Sequence, residues 1–236
     1  MKRKLAYSGM VIVLIFALAF TAYKLMNARN YQLFGNITAH VETNDKVVAL
    51  TFDDGPTKNT DAILSLLDDY QVKATFFLIG KDIEEQPGEA KKIAEAGHQI
   101  GNHTYSHKRM VLKSTAFISN EIEKTDALIA NIGYTKSVVV RPPYGKKLIG
   151  FPYYLNKHQR ETITWNLEPD TYFTEADEKV KYVQENIQPG SIILMHPMYD
   201  STDNELQAIE GILQAVTKEG YTFVTIDELL TFKNNQ

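Results

Sequence analysis

The 236 residues include no cysteine, and that one absence removes disulfides, thiolate metal ligands and a cysteine nucleophile together. It is compatible with a protein outside the cytoplasm that needs no oxidative cross-links. Acidic residues are missing from the first thirty positions, which hold five of the 25 Lys and Arg. The 20 basic residues that remain face 29 Asp and Glu, so the rest of the chain carries close to −9. A body that acidic argues against nucleic acid as a partner. There is no internal repeat and no low-complexity segment. What remains is a chain of ordinary apolar and charged content, long enough for one sizeable core with an N-terminal appendage.

Charge is also missing from Leu5 to Tyr23, after Lys2-Arg3-Lys4 and before Lys24. Nineteen uncharged residues can just span a bilayer as a helix, with the basic cluster on the cytoplasmic side. A signal peptide is the rival, because Ala17-Leu18-Ala19 has the small-x-small form of a cleavage site, although a cut there would fall inside the apolar run. Both readings place the remainder outside the cytoplasmic membrane. The expected division is anchor over 1–26, linker over 27–44 with an added strand allowed, catalytic domain over 45–232, and a tail over 233–236.

Val47-Val48-Ala49-Leu50-Thr51-Phe52-Asp53-Asp54-Gly55-Pro56 reads as a buried strand that runs straight into two carboxylates and a turn. Burying like charges together raises the protonation energy of at least one, so the pair points to a cation or a reaction. A solvated surface turn is the plain alternative. His103 and His107 stand at i and i+4, a spacing expected to put both rings on one face of a helical turn. Two imidazoles and a carboxylate make a usual zinc set with open positions. Arg141-Pro142-Pro143-Tyr144-Gly145 follows the apolar run Val138 to Val140, and Ile192 to Met195 ends at His196.

Strand and helix patterns alternate along the chain. Thr60 is a candidate N-cap for a helix from Asp61, Ala74 to Ile79 is a strand, and Glu89 to Ala96 is a helix that stops at Gly97. His98 to Gly101 leads into the histidine motif, longer helices are expected at Ser114 to Asn131, Asp177 to Ile187 and Glu205 to Lys218, and Tyr221 to Ile226 is the last strand. Repeated units of this kind call for a parallel sheet or barrel, with reactive residues gathered at the carboxyl ends of the strands.

Taken in order, Thr51 to Pro56, His103 to His107, Arg141 to Gly145 and Leu194-Met195-His196 resemble the motifs of the polysaccharide deacetylases, carbohydrate esterase family 4, also called the NodB-homology domain. The resemblance covers Asp45 to Phe232. It implies an α/β fold, a distorted (β/α) barrel, and removal of acetyl from N-acetylglucosamine units of peptidoglycan or chito-oligosaccharide-like chains. It carries Asp54, His103 and His107 over as ligands of a divalent metal, zinc first, with cobalt or another dication as alternatives. Asp53 becomes the general base, Arg141 the residue that holds it, the Tyr144 backbone N–H the oxyanion donor, and His196 the general acid. Leu194 is expected to line the acetyl pocket, with Trp165 and Tyr172 as further pocket or sugar-stacking residues. His40, His98 and His158 match no family position and are expected to be structural or exposed.

The family's fourth motif ends in Asp-Trp, and Thr171-Tyr172 stand there in this chain. Either Asp170 or Glu168 is therefore expected to support Arg141 in place of the usual Asp, or Arg141 is expected to be less firmly held. The reading is an envelope N-deacetylase acting as a monomer. An O-deacetylase of the same fold and a catalytically weak wall-binding protein are the alternatives.

Overall fold

The computed structural model describes residues 2–233; Met1 and residues 234–236 of the expected tail lie outside the described residues. The elements run α1 (Lys2–Asn27), β1 (Ile37–Thr38), β2 (Val47–Asp53), α2 (Thr60–Asp69), β3 (Thr75–Leu78), α3 (Gly80–Glu85), α4 (Pro87–Glu95), β4 (Gln99–Asn102) and α5 (Thr115–Asn131). They continue with α6 (Gly150–Lys157), β5 (Thr162–Ile163), α7 (Ala176–Asn186), β6 (Ile192–Met195), α8 (Asn204–Lys218), β7 (Thr222–Phe223) and α9 (Ile226–Phe232).

β2 is buried at all seven positions, which is why it reads as a continuous apolar run and not as an alternation. It pairs in parallel with β3 on one side and β6 on the other, and β4 follows β3. The sheet then closes through single parallel bridges, Asn102 to Val140, Val140 to Thr162 and Leu167 to Ile193. The expected barrel is therefore present, and it is distorted because these links are one bridge wide. Val138 to Val140 forms no named strand, though Val140 is fully buried. The main core packs Leu50, Phe52, Phe76, Leu78, Ile193 and Met195 against Ile63, Leu67, Ile209 and Leu213 of the surrounding helices.

Several helix boundaries fall within a residue of their expected places, and the reasons are local. Ser114 caps α5 by accepting from the Phe117 N–H at 3.2 Å. Thr60 is not a cap. It is the first residue of α2, after Asn59. The expected strand from Tyr221 to Ile226 shrinks to β7, because Thr225 and Glu228 form a capping box that turns Ile226 into the start of α9.

α1 includes a stretch, Tyr7–Asn27, long and apolar enough to cross a membrane, and none of that stretch is buried against the rest of the protein. The segment after it is packed onto the barrel. β1 pairs with β5, Val41 is buried, and its N–H donates to the Gly190 carbonyl at 3.0 Å. Lys147, fully buried, donates through Nζ to the carbonyl of Ala28, and Lys146 donates to the Asn27 side chain.

Candidate active site

Asp53 closes β2, His103 follows β4, Arg141 follows the Val140 bridge, Glu168 follows the Leu167 bridge, and His196 follows β6. Parallel strands deliver all five side chains to the same rim of the barrel. A cavity of about 290 Å³ opens there, lined by Asp53, Asp54, His103, His107, Tyr144, Trp165, Thr171 and His196 together with Arg29 and Glu168.

The aspartates diverge because Asp53 is still strand while Asp54 takes φ 74 and Gly55 φ 69. Gly55 has no substitute, since a Cβ there would lie 2.8 Å from Met198 Cγ on a left-handed backbone. Asp53 Oδ1 accepts from the Arg141 guanidinium at 2.6 Å. Burial alone would push the Asp53 carboxyl up, but the Arg141 charge beside it, with His103 and His196, holds it below the ordinary range. Arg141 is itself fully buried. It also donates to Thr51 Oγ1 at 2.9 Å and the Thr164 carbonyl at 3.1 Å, and it lies 3.9 Å from the Phe77 ring centre.

Asp54, His103 and His107 each present one ligand atom, and the three atoms lie within 4.8 Å of one another. Asp54 Oδ1 is 3.3 Å from His107 Nε2 and 3.8 Å from His103 Nε2. His103 Nδ1 faces the Arg141 carbonyl at 2.9 Å and donates to it, which orients the ring so that Nε2 points toward Asp54. Burial and the neighbouring His103 push the His107 pKa down, toward the neutral ring a metal takes. Asp54 Oδ1 is buried with no hydrogen-bond partner among the described residues, as a carboxylate shaped for a cation would be. The residues present fit a divalent metal.

The two histidines do not sit on a helical turn. Thr104 and His107 have φ 66 and 52, and the loop is held from outside by side chains that replace helical bonds. Asn102 Oδ1 accepts from the Thr104 N–H at 2.8 Å, and buried Glu121 of α5 accepts from Ser106 N and Oγ, both at 2.8 Å. Tyr144 also has a left-handed backbone, φ 59, and its half-exposed ring lies 4.7 Å from that of His107. Pro142 and Pro143 before it offer no N–H, and Gly145 at φ 65 admits the Trp165 ring, which a Cβ would approach to 3.1 Å.

His196 is paired with Asp170, whose Oδ2 is 2.9 Å from the His196 N–H and 3.1 Å from Nδ1. Burial disfavours the charged ring, but the Asp170 hydrogen bond and the charges of Asp53 and Asp170 outweigh it and push the pKa up to about 9. Lys179 holds the other Asp170 oxygen at 3.0 Å. Asp170 therefore serves His196, and Glu168 binds Arg29 at 2.7 Å and Trp165 Nε1 at 2.9 Å; the expectation that either contacts Arg141 is corrected. The reason is that Pro169 starts a 3-10 turn that carries Asp170 toward β6.

The profile of the family described as "Polysaccharide deacetylase" matches residues 40–163. The chain belongs to the polysaccharide deacetylases. A peptidoglycan-N-acetylglucosamine deacetylase of Bacillus cereus is 31% identical over 212 residues, 85% of this chain and 95% of that protein. The peptidoglycan-N-acetylglucosamine deacetylase PgdA of Listeria monocytogenes is 35% identical over 193 residues, 78% of this chain, and the chain spans only 39% of that longer relative. Among solved structures, a carbohydrate esterase family 4 pseudoenzyme of Bacillus anthracis superposes with a TM-score of 0.75 at 31% identity, covering 83% of this chain and 69% of that one.

Of the expected pocket residues, Trp165 lies on the cavity wall, whereas Leu194 and Tyr172 are not among its lining residues. Leu194 is fully buried with Phe77, Val139 and Trp165, and Tyr172 is exposed and packs on Tyr182 and Phe173. Arg29 and Glu168 were not foreseen in the lining; Arg29 lies in the segment read as linker. His98 is structural as expected: its Nδ1 accepts from the Ala74 N–H at 3.1 Å, and burial pushes its pKa down to about 4.

Proposed function

We propose that the protein is a metal-dependent N-deacetylase of N-acetylglucosamine units in cell-wall glycan, with peptidoglycan as its substrate. The observation that carries this reading is the convergence in one cavity of a depressed carboxylate, an Asp-His-His set and a histidine held protonated. Asp54, His103 and His107 would hold the metal, zinc by the chemistry of the donors. A bound dication polarises a carbonyl oxygen and makes water a competent nucleophile near neutral pH.

The chain's own groups do the rest. Asp53, kept ionised by Arg141, takes the proton of the attacking water. The Tyr144 N–H donates to the oxygen that gains charge at the acetyl carbon. His196, charged and hydrogen-bonded to Asp170, gives its proton to the departing sugar amine. An amine leaves only when protonated, and a histidine held beside Asp170 is placed to supply that proton. One chain supplies every group, and a monomer suffices.

The anchor reading is proposed for the N-terminus: α1 runs unbroken through Ala17-Leu18-Ala19, and its carboxyl end is joined to the barrel through Lys146 and Lys147. The catalytic domain then lies outside the cytoplasmic membrane. Acetate release by the zinc-loaded full chain tests the function. Release from purified peptidoglycan and chito-oligosaccharides is expected; release from acetylxylan alone would make the protein an O-deacetylase of the same fold.

A further inference from the structure

Arg29 lies outside the residues matched by the family profile, yet it lines the catalytic cavity. Three contacts fix it there. Its guanidinium meets Glu168 Oε2 at 2.7 Å, it lies over the Trp165 ring at 4.7 Å, and its carbonyl accepts from Thr164 Oγ1 at 2.5 Å. The residues before it are tied down as well, Asn27 by Lys146 and Ala28 by the buried Lys147, and these lysines directly follow the Arg141–Gly145 motif. A flexible spacer between anchor and enzyme would need none of this.

We propose that Arg29 is a specificity-determining residue that binds the sugar next to the reacting N-acetylglucosamine, making the end of the membrane segment one wall of the glycan site. The inference rests on the glycan reading above. Among the described residues, Glu168 is the one side-chain hydrogen-bond partner of Arg29, so most of the five guanidinium N–H donors remain for a ligand. The Glu168 carboxylate already balances the Arg29 charge. What the pair offers is directed donors, which suit the neutral hydroxyl and acetamide oxygens of a neighbouring sugar. The guanidinium also occupies a face of Trp165, which is 3% exposed, so Trp165 supports Arg29 and is not itself a stacking platform. Because Asn27 ends α1 and Arg29 is two residues on, this subsite lies at most about 7 Å of extended chain beyond the helix. Glycan bound there is held close to the membrane surface.

Trp165 is the sole tryptophan, so its fluorescence reports this contact directly. The test titrates the zinc-loaded full chain, carrying Asp53→Asn to prevent turnover, with N-acetylglucosamine and with its pentamer. Adding Arg29→Ala should weaken pentamer binding about ten-fold, the scale of one lost hydrogen bond to a charged donor, and leave the monosaccharide affinity unchanged. Arg29→Lys, which keeps the charge without the fork, should fall between. Unchanged pentamer affinity in Arg29→Ala, or equal loss for both ligands, would overturn the subsite. If the parent bound neither sugar while holding zinc, the glycan reading itself would fail and this inference with it.

Discussion

His196 is half-buried and its pKa is raised, because Asp170 accepts from both its ring and its backbone N–H. Its folded pKa of about 9 lies above the ordinary 6.5, so the pairing stabilises the fold fully below the ordinary value and is lost as pH rises through about 9. Deacetylation should fall over the same alkaline limb, since the acid must be protonated to release the amine. Asp170→Asn is expected to move that limb toward neutral pH and lower kcat; a pH–rate profile of the two proteins checks it, and an unmoved limb would detach Asp170 from His196. Arg141→Ala should be costlier, because it strands Asp53 as a buried unpaired carboxylate, a loss on the order of 3–5 kcal/mol in chemical denaturation. The motif residues themselves were legible, since Asp53, Asp54, His103, His107 and His196 all line one cavity and buried Arg141 holds Asp53. What single-residue reading misassigned was the partner of Asp170. That aspartate pairs with a histidine 26 positions away, and nothing in its spacing distinguishes that partner from Arg141.

At the scale of elements, α5 does work that no motif announces. Glu121 anchors Ser106 between the two histidines, and Asn102 reaches the Ile122 carbonyl and Asp126 of the same helix. Glu121→Ala should leave both histidines present but loosen the loop, weakening zinc affinity by roughly 10–100-fold in a competition titration with a chelator. Thr225→Ala removes the α9 capping box far from the cavity, and should cost about 1 kcal/mol in thermal unfolding with kcat unchanged. The contrast separates support of the site from support of the fold. Buried strands and long helices were readable because apolar periodicity sets them. The loop of His103 to His107 was not, since its left-handed residues are imposed by tertiary contacts and i, i+4 spacing alone reads as a helix. β7 was overextended for the opposite reason: a local cap ended an apolar run that looked continuous.

On the scale of the whole molecule, the apolar helix and the catalytic cavity are close neighbours in the chain and in space, through Asn27, Ala28 and Arg29. The intact protein should fractionate with membranes and leave its barrel open to protease added outside spheroplasts. N-terminal sequencing of the mature protein should find no start at Phe20; such a start would make the segment a cleaved signal. The distribution of charge anticipated a separate N-terminal object but not its docking, because nothing in the sequence around Lys147 marks that residue as fully buried against the N-terminal segment. The central claim, that adjacent carboxylates divide the work of base and metal ligand, is tested most directly by acetate release and zinc content measured together on Asp53→Asn and Asp54→Asn. Asp53→Asn should keep its zinc and lose turnover by about 10²–10⁴-fold, and Asp54→Asn should lose zinc and turnover together. An Asp53→Asn protein emptied of zinc beside a fully loaded Asp54→Asn would contradict the account.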